Sequence, residues 1–538
     1  MFRSLRQWGS AALLSAASVI AVSSTGQAAE TIYLDLGLFS RSIPVTSLSD
    51  FAKTGEADGP LNFVLKRMPP ADQQALRLAL NAPHDLQAAE LSHWLYTPLG
   101  EQALASIGEA VQTTSRLNGH RAIRAGLILA ASDPEGLTVL NFFKHFPTEG
   151  IRLDAGRLLA DFSNLQESIA ETQTIVDAIQ QAAPTSGPIP SRATLNQPGM
   201  RQVVVQTLTL NDAGRKRTYP VDIYRPDRAQ GPAAVPVVVL SHGLGSSRRY
   251  LVDLARHMAS HGVAVAVPDH IRSNSDHKQA VQDGLASEIL PPSEFVDRPL
   301  DISFLLDELQ RRNASDFQGQ LKLDRVAVAG HSLGGYTTLA LAGAAVDLTH
   351  LEETCTSRQT FLIDVTRLIS CRIFSLPPEQ IQQLAEGDLR DERVGLAMMY
   401  APISHLFGEA GIGHVQIPTV LMGGSLDVVT PFMSEQVKAF SWLTSDKYLY
   451  LSDNTSHDRS SSEGMYFLLN PDGADDPSVE ASAKVLIGLF KSLMVAFPKV
   501  YLSDDDQWRA YLTSEYPASA SQEPFRLHMV RSLSLPDD

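Results

Sequence analysis

Gly330-His331-Ser332-Leu333-Gly334 places a serine where a backbone turn can present it as a nucleophile. Val326-Ala327-Val328-Ala329 before it reads as a buried strand, and the alanine- and leucine-rich run from Gly335 through Val346 reads as a helix. Strand, tight turn and helix form the setting that a G-x-S-x-G serine requires. The small residues are needed because side chains two positions either side of the serine would collide across a strained turn. A serine hydroxyl is a poor nucleophile at neutral pH, so it needs an adjacent base that an acid orients.

With this kind of elbow the chain order is serine, acid, histidine. Thr419 to Met422 reads as a strand, and the small-residue turn Gly423-Gly424-Ser425-Leu426 after it delivers Asp427. Tyr448-Leu449-Tyr450-Leu451 reads as the next strand, and Asn454-Thr455-Ser456-His457 follows on a loop. Both positions fall at carboxyl ends of parallel strands, where side chains converge. Ser332, Asp427 and His457 are therefore the expected nucleophile, acid and base. His331 is expected to point into the turn, and Asp453 and Asp458 lie too close to His457 in sequence to buttress its ring.

An acyl transfer also develops an oxyanion, which two preorganised backbone N–H groups must meet. One is expected from Leu333, the residue after the serine. The second is expected from Leu244, because Val237 to Leu240 reads as a strand running into Ser241-His242-Gly243-Leu244-Gly245. A dinucleotide-binding loop is the competing reading of Gly243-Leu244-Gly245, but the third glycine and an acidic ribose partner are missing.

The elements that must hold these residues alternate along the second half of the chain. Gln202–Leu210 and Thr218–Tyr224 read as an antiparallel pair. Val237–Ser241, Val263–Pro268, Val326–Ala329, Val394–Tyr400, Thr419–Met422 and Lys447–Leu451 read as near-continuous hydrophobic strands. Ile302, Leu305, Leu306 and Leu309 form an apolar helix face opened by Asp297 and Pro299, and a last helix is expected over Ser478–Phe497. Such a pattern predicts an α/β domain over 200–497, a mostly parallel sheet covered by helices on both faces. Residues 347–391 interrupt it and are expected to form a cap over the site, with a decorative surface insertion as the alternative.

Residues 29–183 read as a mainly helical N-terminal domain after a short strand at Ile32, Leu34 and Leu36. Asp133-Pro134 is the expected start of a helix carrying Leu137, Leu140 and Phe143, and Leu158, Phe162, Leu165 and Ile169 are expected as core. The Pro-, Ser-, Gly- and Ala-rich stretch 184–199 reads as a linker. Residues 498–538 read as a polar extension with no assignable place.

With 538 residues, 44% hydrophobic and 19% charged, the chain is globular with material for two or three domains. A formal charge of -16 argues against nucleic-acid binding, since phosphate contacts need clustered Lys and Arg. Arg3 and Arg6 precede an apolar run from Ala11 to Val22, and Gly26-Gln27-Ala28 supplies small residues at a cleavage position. Residues 1–28 are thus the expected signal peptide, implying export to the periplasm or the medium, with an uncleaved anchor as the alternative. The two cysteines, Cys355 and Cys371, are expected to form a local disulfide worth about 3 kcal/mol of loop closure, the alternative being two buried thiols. No C-x-x-C or H-E-x-x-H occurs and the 15 histidines are scattered, so neither a metal site nor a cofactor is expected.

Residues 200–497 resemble an α/β-hydrolase. Ser241-His242-Gly243-Leu244-Gly245 with Gly330-His331-Ser332-Leu333-Gly334-Gly335, and Arg298-Pro299-Leu300-Asp301 besides, are similar to the platelet-activating-factor acetylhydrolase and bacterial lipase/polyesterase branch. The resemblance implies a serine esterase or lipase acting on lipid or short-acyl esters, with lipid or membrane-surface contact through the cap. In the acetylhydrolase the acid follows the strand after the elbow helix, a place held here by Ala401-Pro402, whereas Asp427 matches the lipase and polyesterase arrangement. The helical half looks like an uncharacterised domain found ahead of bacterial exported hydrolases. A peptidase or thioesterase on the same scaffold, and a non-catalytic binding protein, are the alternatives; the oligomeric state is not legible.

Overall fold

The computed structural model describes residues 28–184, 195–227, 234–357, 364–458 and 477–533. Residues 1–27 of the expected signal peptide (1–28), and residues 185–194 of the expected linker (184–199), lie outside the described residues. By its internal contacts the chain divides into two compact units, one holding residues up to Asn164 and the other the bulk of the chain from Leu165.

The first unit sets helices around a four-stranded sheet of order β2-β1-β4-β3. Its strands are β1 (Thr31–Leu36), β2 (Phe39–Pro44), β3 (Val111–Thr113) and β4 (Gly150–Asp154). Ile32, Phe51, Leu61, Leu104, Ile123, Phe146 and Ile151 fill its core. The helix carrying Leu140 starts at Val139 rather than at Pro134, because the Thr138 side chain accepts from the Asn141 amide and caps it. Asp133 instead accepts from the Glu135 amide in a separate turn. α1 (Ala155–Ala182) leaves Phe162 and Ile169 exposed, against the expectation that they are core.

The second unit is built on a nine-stranded sheet of order β13-β12-β11-β10-β9-β7-β8-β6-β5. The strands are β5 (Val203–Asp212), β6 (Arg217–Pro226), β7 (Val235–Ser241), β8 (Ala264–Pro268), β9 (Leu321–His331), β10 (Val394–Tyr400), β11 (Thr419–Gly424), β12 (Lys447–Ser452) and β13 (Leu527–Val530). From β12 across to β8 every neighbouring pair is parallel, with antiparallel pairs at the two edges. Alternate side chains serve opposite faces. Val238, Leu240, Val265, Ala327, Met398 and Met422 pack under α2 (Val252–Ser260) and α5 (Pro477–Ser503). Val237, Val239, Ala266, Val326 and Val328 pack under Ile302, Leu305, Leu306 and Leu309 of α3 (Glu294–Asp316). α5 is apolar and long enough to cross a membrane, yet Leu489, Leu493, Val495, Ala496 and Phe497 are buried in this core.

In this unit the start of one helix and the fate of the C-terminal residues differ from the sequence expectation. α3 begins at Glu294, so Pro299 stands inside it instead of opening it. Proline cannot donate to the carbonyl four residues back, and the Tyr336 hydroxyl donates to that Phe295 oxygen at 3.0 Å instead. The residues expected as an extension rejoin the domain, since β13 pairs antiparallel with β12. The insertion folds into the helices Leu348–Thr356, Val365–Ser370 and Pro378–Glu386, and Cys355 is bonded to Cys371 with their Cα atoms 5.8 Å apart. Phe361, Leu362 and Ile363 of the insertion lie outside the described residues.

Candidate active site

β9 runs straight into Ser332, which caps α4 (Leu333–Leu341) with φ 56° and ψ -119°. A non-glycine residue here is strained by roughly 1–3 kcal/mol. The surroundings hold it: the Ser332 amide donates to Tyr400 O at 3.0 Å, and its carbonyl accepts from Gly335 N at 2.8 Å. Any Cβ on the flanking glycines would collide with backbone or a fixed ring, at Gly330 2.0 Å from Gly334 O, at Gly334 2.1 Å from Ser241 O and at Gly335 2.6 Å from Pro402 Cβ. The turn is thus possible only with this pattern of small residues.

The registers align the strand ends, pairing Ser241 with Gly330, His331 with Tyr400, and Gly424 with Ser452. The loops leaving β9, β11 and β12 therefore emerge on one rim. His457 Nδ1 donates to Asp427 Oδ2 at 2.9 Å, which leaves Nε2 as the basic nitrogen. Asp427 is held by three further donors: the Val429 amide at 2.8 Å, the Thr430 amide at 2.9 Å and the Thr430 hydroxyl at 2.7 Å. Thr430 was not legible as a functional residue, although a hydroxyl three positions after the acid is its only signal. His331 does not simply point into its own turn, since its Nε2–H donates to the His457 carbonyl at 2.9 Å. Burial pushes the His331 imidazole down to about 4, so it is a neutral tether at physiological pH. Asp453 accepts from His528 and Gln180 rather than from His457.

Ser332, His457 and Leu244 border a single cavity of about 880 Å³. Its apolar lining includes Leu240, Leu254, Met398, Met422, Phe490 and Met494. Leu333 is the first residue of α4 and its side chain is fully buried, so only its amide can serve the site. The first amides of a helix have no partner within it. Among the described residues, none from the insertion 347–391 lines this cavity. The walls come instead from the loop after β7, α2, α5 and the strand ends.

A second serine–histidine–aspartate set lies beside the first. Ser241 Oγ donates to His270 Nε2 at 3.0 Å, and His270 Nδ1 stands 3.5 Å from Asp301 Oδ2. It is unsuited to nucleophilic work. His270 and Asp301 are fully buried, burial drives the imidazole well below its usual range, and both Asp301 oxygens already serve Arg215 and Arg217. The set instead fastens the end of β7.

Residues 28–154 match the family described as "Alpha/beta hydrolase of unknown function (DUF1400)", and residues 193–355 match the family described as "Chlorophyllase". The second match takes in the loop after β7 and the elbow at Ser332 and ends before Asp427 and His457. A search of curated proteins gave no significant match. The sheet topology, the elbow and these two matches agree: the chain belongs to the α/β-hydrolase superfamily.

Proposed function

We propose that this chain is an exported serine carboxylic-ester hydrolase whose substrates carry an apolar acyl or alkyl chain. The observation that carries the reading is the shared cavity, which Ser332 and the Asp427-backed His457 line together with Leu, Met and Phe side chains. A smaller chamber of about 280 Å³, lined by Leu486, Ile487, Phe525 and Leu527, shares Tyr400, Met422 and Phe490 with it. Export is favoured by the positively charged, then apolar N-terminus and by the Cys355–Cys371 bond.

In this reading Ser332 Oγ attacks the ester carbonyl carbon while His457 Nε2 takes the hydroxyl proton. The carbonyl electron pair moves to oxygen, where the Leu244 and Leu333 amides meet the charge. Collapse expels the alcohol, which takes its proton from His457, and leaves the acyl group on Ser332. Water then attacks through the same base, releasing the carboxylic acid and restoring the serine. No metal or cofactor enters these steps.

A series of p-nitrophenyl esters from acetate to dodecanoate tests both halves of the reading. We expect kcat/KM to rise on the order of fourfold per methylene while the chain still gains buried surface. A fluorophosphonate should label Ser332, and Ser332→Ala should abolish both labelling and turnover. Anilides or thioesters turned over faster than esters would transfer the assignment to a peptidase or thioesterase. N-terminal sequencing of the mature protein tests export, with Ala29 expected first.

A further inference from the structure

The loop carrying Leu244 is held from below by a buried ionic assembly that takes no part in the steps above. Arg298, in the first turns of α3, is fully buried. Its Nη1 donates to His242 O at 2.9 Å and its Nε to Ser273 Oγ at 2.9 Å. Ser273 Oγ donates onward to Glu294 Oε2 at 2.5 Å, and Glu294 Oε1 pairs with Arg217 Nη1 at 2.9 Å. Arg217 grips Asp301 with two parallel hydrogen bonds of 2.9 and 2.8 Å. Burial lowers the Arg298 guanidinium to about 10, which still leaves it charged at neutral pH.

The imidazole of His242 connects this assembly to the Leu244 amide. The His270 amide donates to His242 Nε2 at 3.0 Å, so that nitrogen carries the lone pair and the proton sits on Nδ1. Nδ1–H then donates to Gly243 O at 2.8 Å, and the Ser246 amide reaches the same oxygen at 3.2 Å. Gly243 C=O and Leu244 N–H belong to one planar trans peptide and point in opposite directions. Pinning the oxygen therefore aims the N–H. On the far side of Leu244, the Gly245 amide donates to Ser273 O at 2.8 Å, so Ser273 touches the loop with its backbone and Arg298 with its hydroxyl.

We propose that Arg298, braced by Ser273 and Glu294, is a positioning residue that sets the direction of the Leu244 amide through the His242 carbonyl and imidazole. The proposal rests on the reading of Leu244 as an oxyanion donor. A side chain that merely stabilised the fold would not affect the transition state more than the bound substrate, whereas an aiming device does. Lysine at 298 keeps the charge but cannot hold His242 O and Ser273 Oγ with one rigid fork.

The test compares Arg298→Lys and Ser273→Ala with the unmodified full-length protein. Three quantities are measured: steady-state kinetics on one ester, affinity for a trifluoromethyl ketone, and hydrogen exchange of the peptide covering 241–246. Ser273→Ala removes only a hydroxyl and serves if Arg298→Lys does not fold. We expect kcat to fall about ten- to hundredfold, in the range of a weakened oxyanion donor, with KM within about twofold. Ketone affinity should fall in parallel, and loop exchange should quicken. Unchanged kcat and ketone affinity, or a kcat loss with ketone affinity intact, would overturn the proposal. If the unmodified protein hydrolyses no ester, the enzymatic reading fails by itself. Loop exchange then still decides whether Arg298 holds the loop, and unchanged exchange in both variants rejects it.

Discussion

Gly424 and Thr455 lie so close that a Cβ on the glycine would stand 2.2 Å from the threonine carbonyl oxygen. This contact joins the turn that carries Asp427 to the loop that carries His457. The seam continues in hydrogen bonds from Ser425 N to Ser452 O, from Leu426 N to Thr455 O and from Asn454 N to Ser425 Oγ. Gly424→Ala must push the two loops apart, with a stability loss of about 1–3 kcal/mol. We expect kcat/KM to fall alongside the melting temperature. A variant that melts lower but keeps full turnover would show that the seam supports the fold alone.

Thr430 offers a finer probe of the acid. Thr430→Val keeps the shape and both amide donors to Asp427 but removes the 2.7 Å hydroxyl contact. A hydrogen bond to a charged group of this kind predicts a loss of about tenfold in kcat/KM. Asp427→Asn should cost much more, ~10³–10⁴ in kcat, because the imidazole is then held in the wrong tautomer. Equal losses in the two variants would count against this ordering of roles.

Acid should weaken the fold before it protonates most carboxylates. Burial pushes His331 and His257 down to about 4, and His242, His261 and His270 are lowered for the same reason. Between the ordinary histidine value of about 6.5 and the folded values, the unfolded chain binds more protons than the folded one. Stability therefore is full above that upper limit and drains away as pH falls through the window toward 4. Melting temperatures recorded from pH 7.5 down to 4.5 should decline steadily. A flat profile would mean that these rings are not held neutral.

The Cys355–Cys371 bond closes a loop with a sequence separation of 16. Chain-entropy reasoning assigns it about 3 kcal/mol. Replacing both cysteines with serine should lower the melting temperature, while kcat/KM stays within about twofold, because no described residue of the insertion lines the cavity. A large loss of turnover would restore the insertion to the active site.

The residues that do the proposed chemistry were largely visible beforehand, since each sits just after a run of apolar residues long enough to read as a strand. The elbow, the turn before Asp427 and the loop before His457 all carry that punctuation. β13 had no such signal: four residues, His528 among them, in a polar tail are chosen by the open edge of β12 rather than by their own pattern. Length does not say which way the insertion over 347–391 folds back, so a cap and a surface insertion read alike in the sequence. Arg298-Pro299-Leu300-Asp301 stood out only as a resemblance, because its partners His242, Ser273 and Arg217 come from separate parts of the chain. The start of α3 is hidden from the sequence for a related reason. Proline normally marks a first turn, but here Tyr336 from another helix satisfies the carbonyl that it strands.

Met398, Met399, Met422 and Met494 all stand in the wall of the large cavity. Thioether side chains are unbranched and polarizable, so such a lining moulds itself around straight, kinked or ring-bearing tails with little preference among them. Selection would then fall on greasiness more than on outline. The same sulfurs are a chemical weak point, because peroxide would turn them into polar sulfoxides and wet the trough that the proposed reading gives to a hydrocarbon tail, quenching turnover while Ser332, Asp427 and His457 stayed intact.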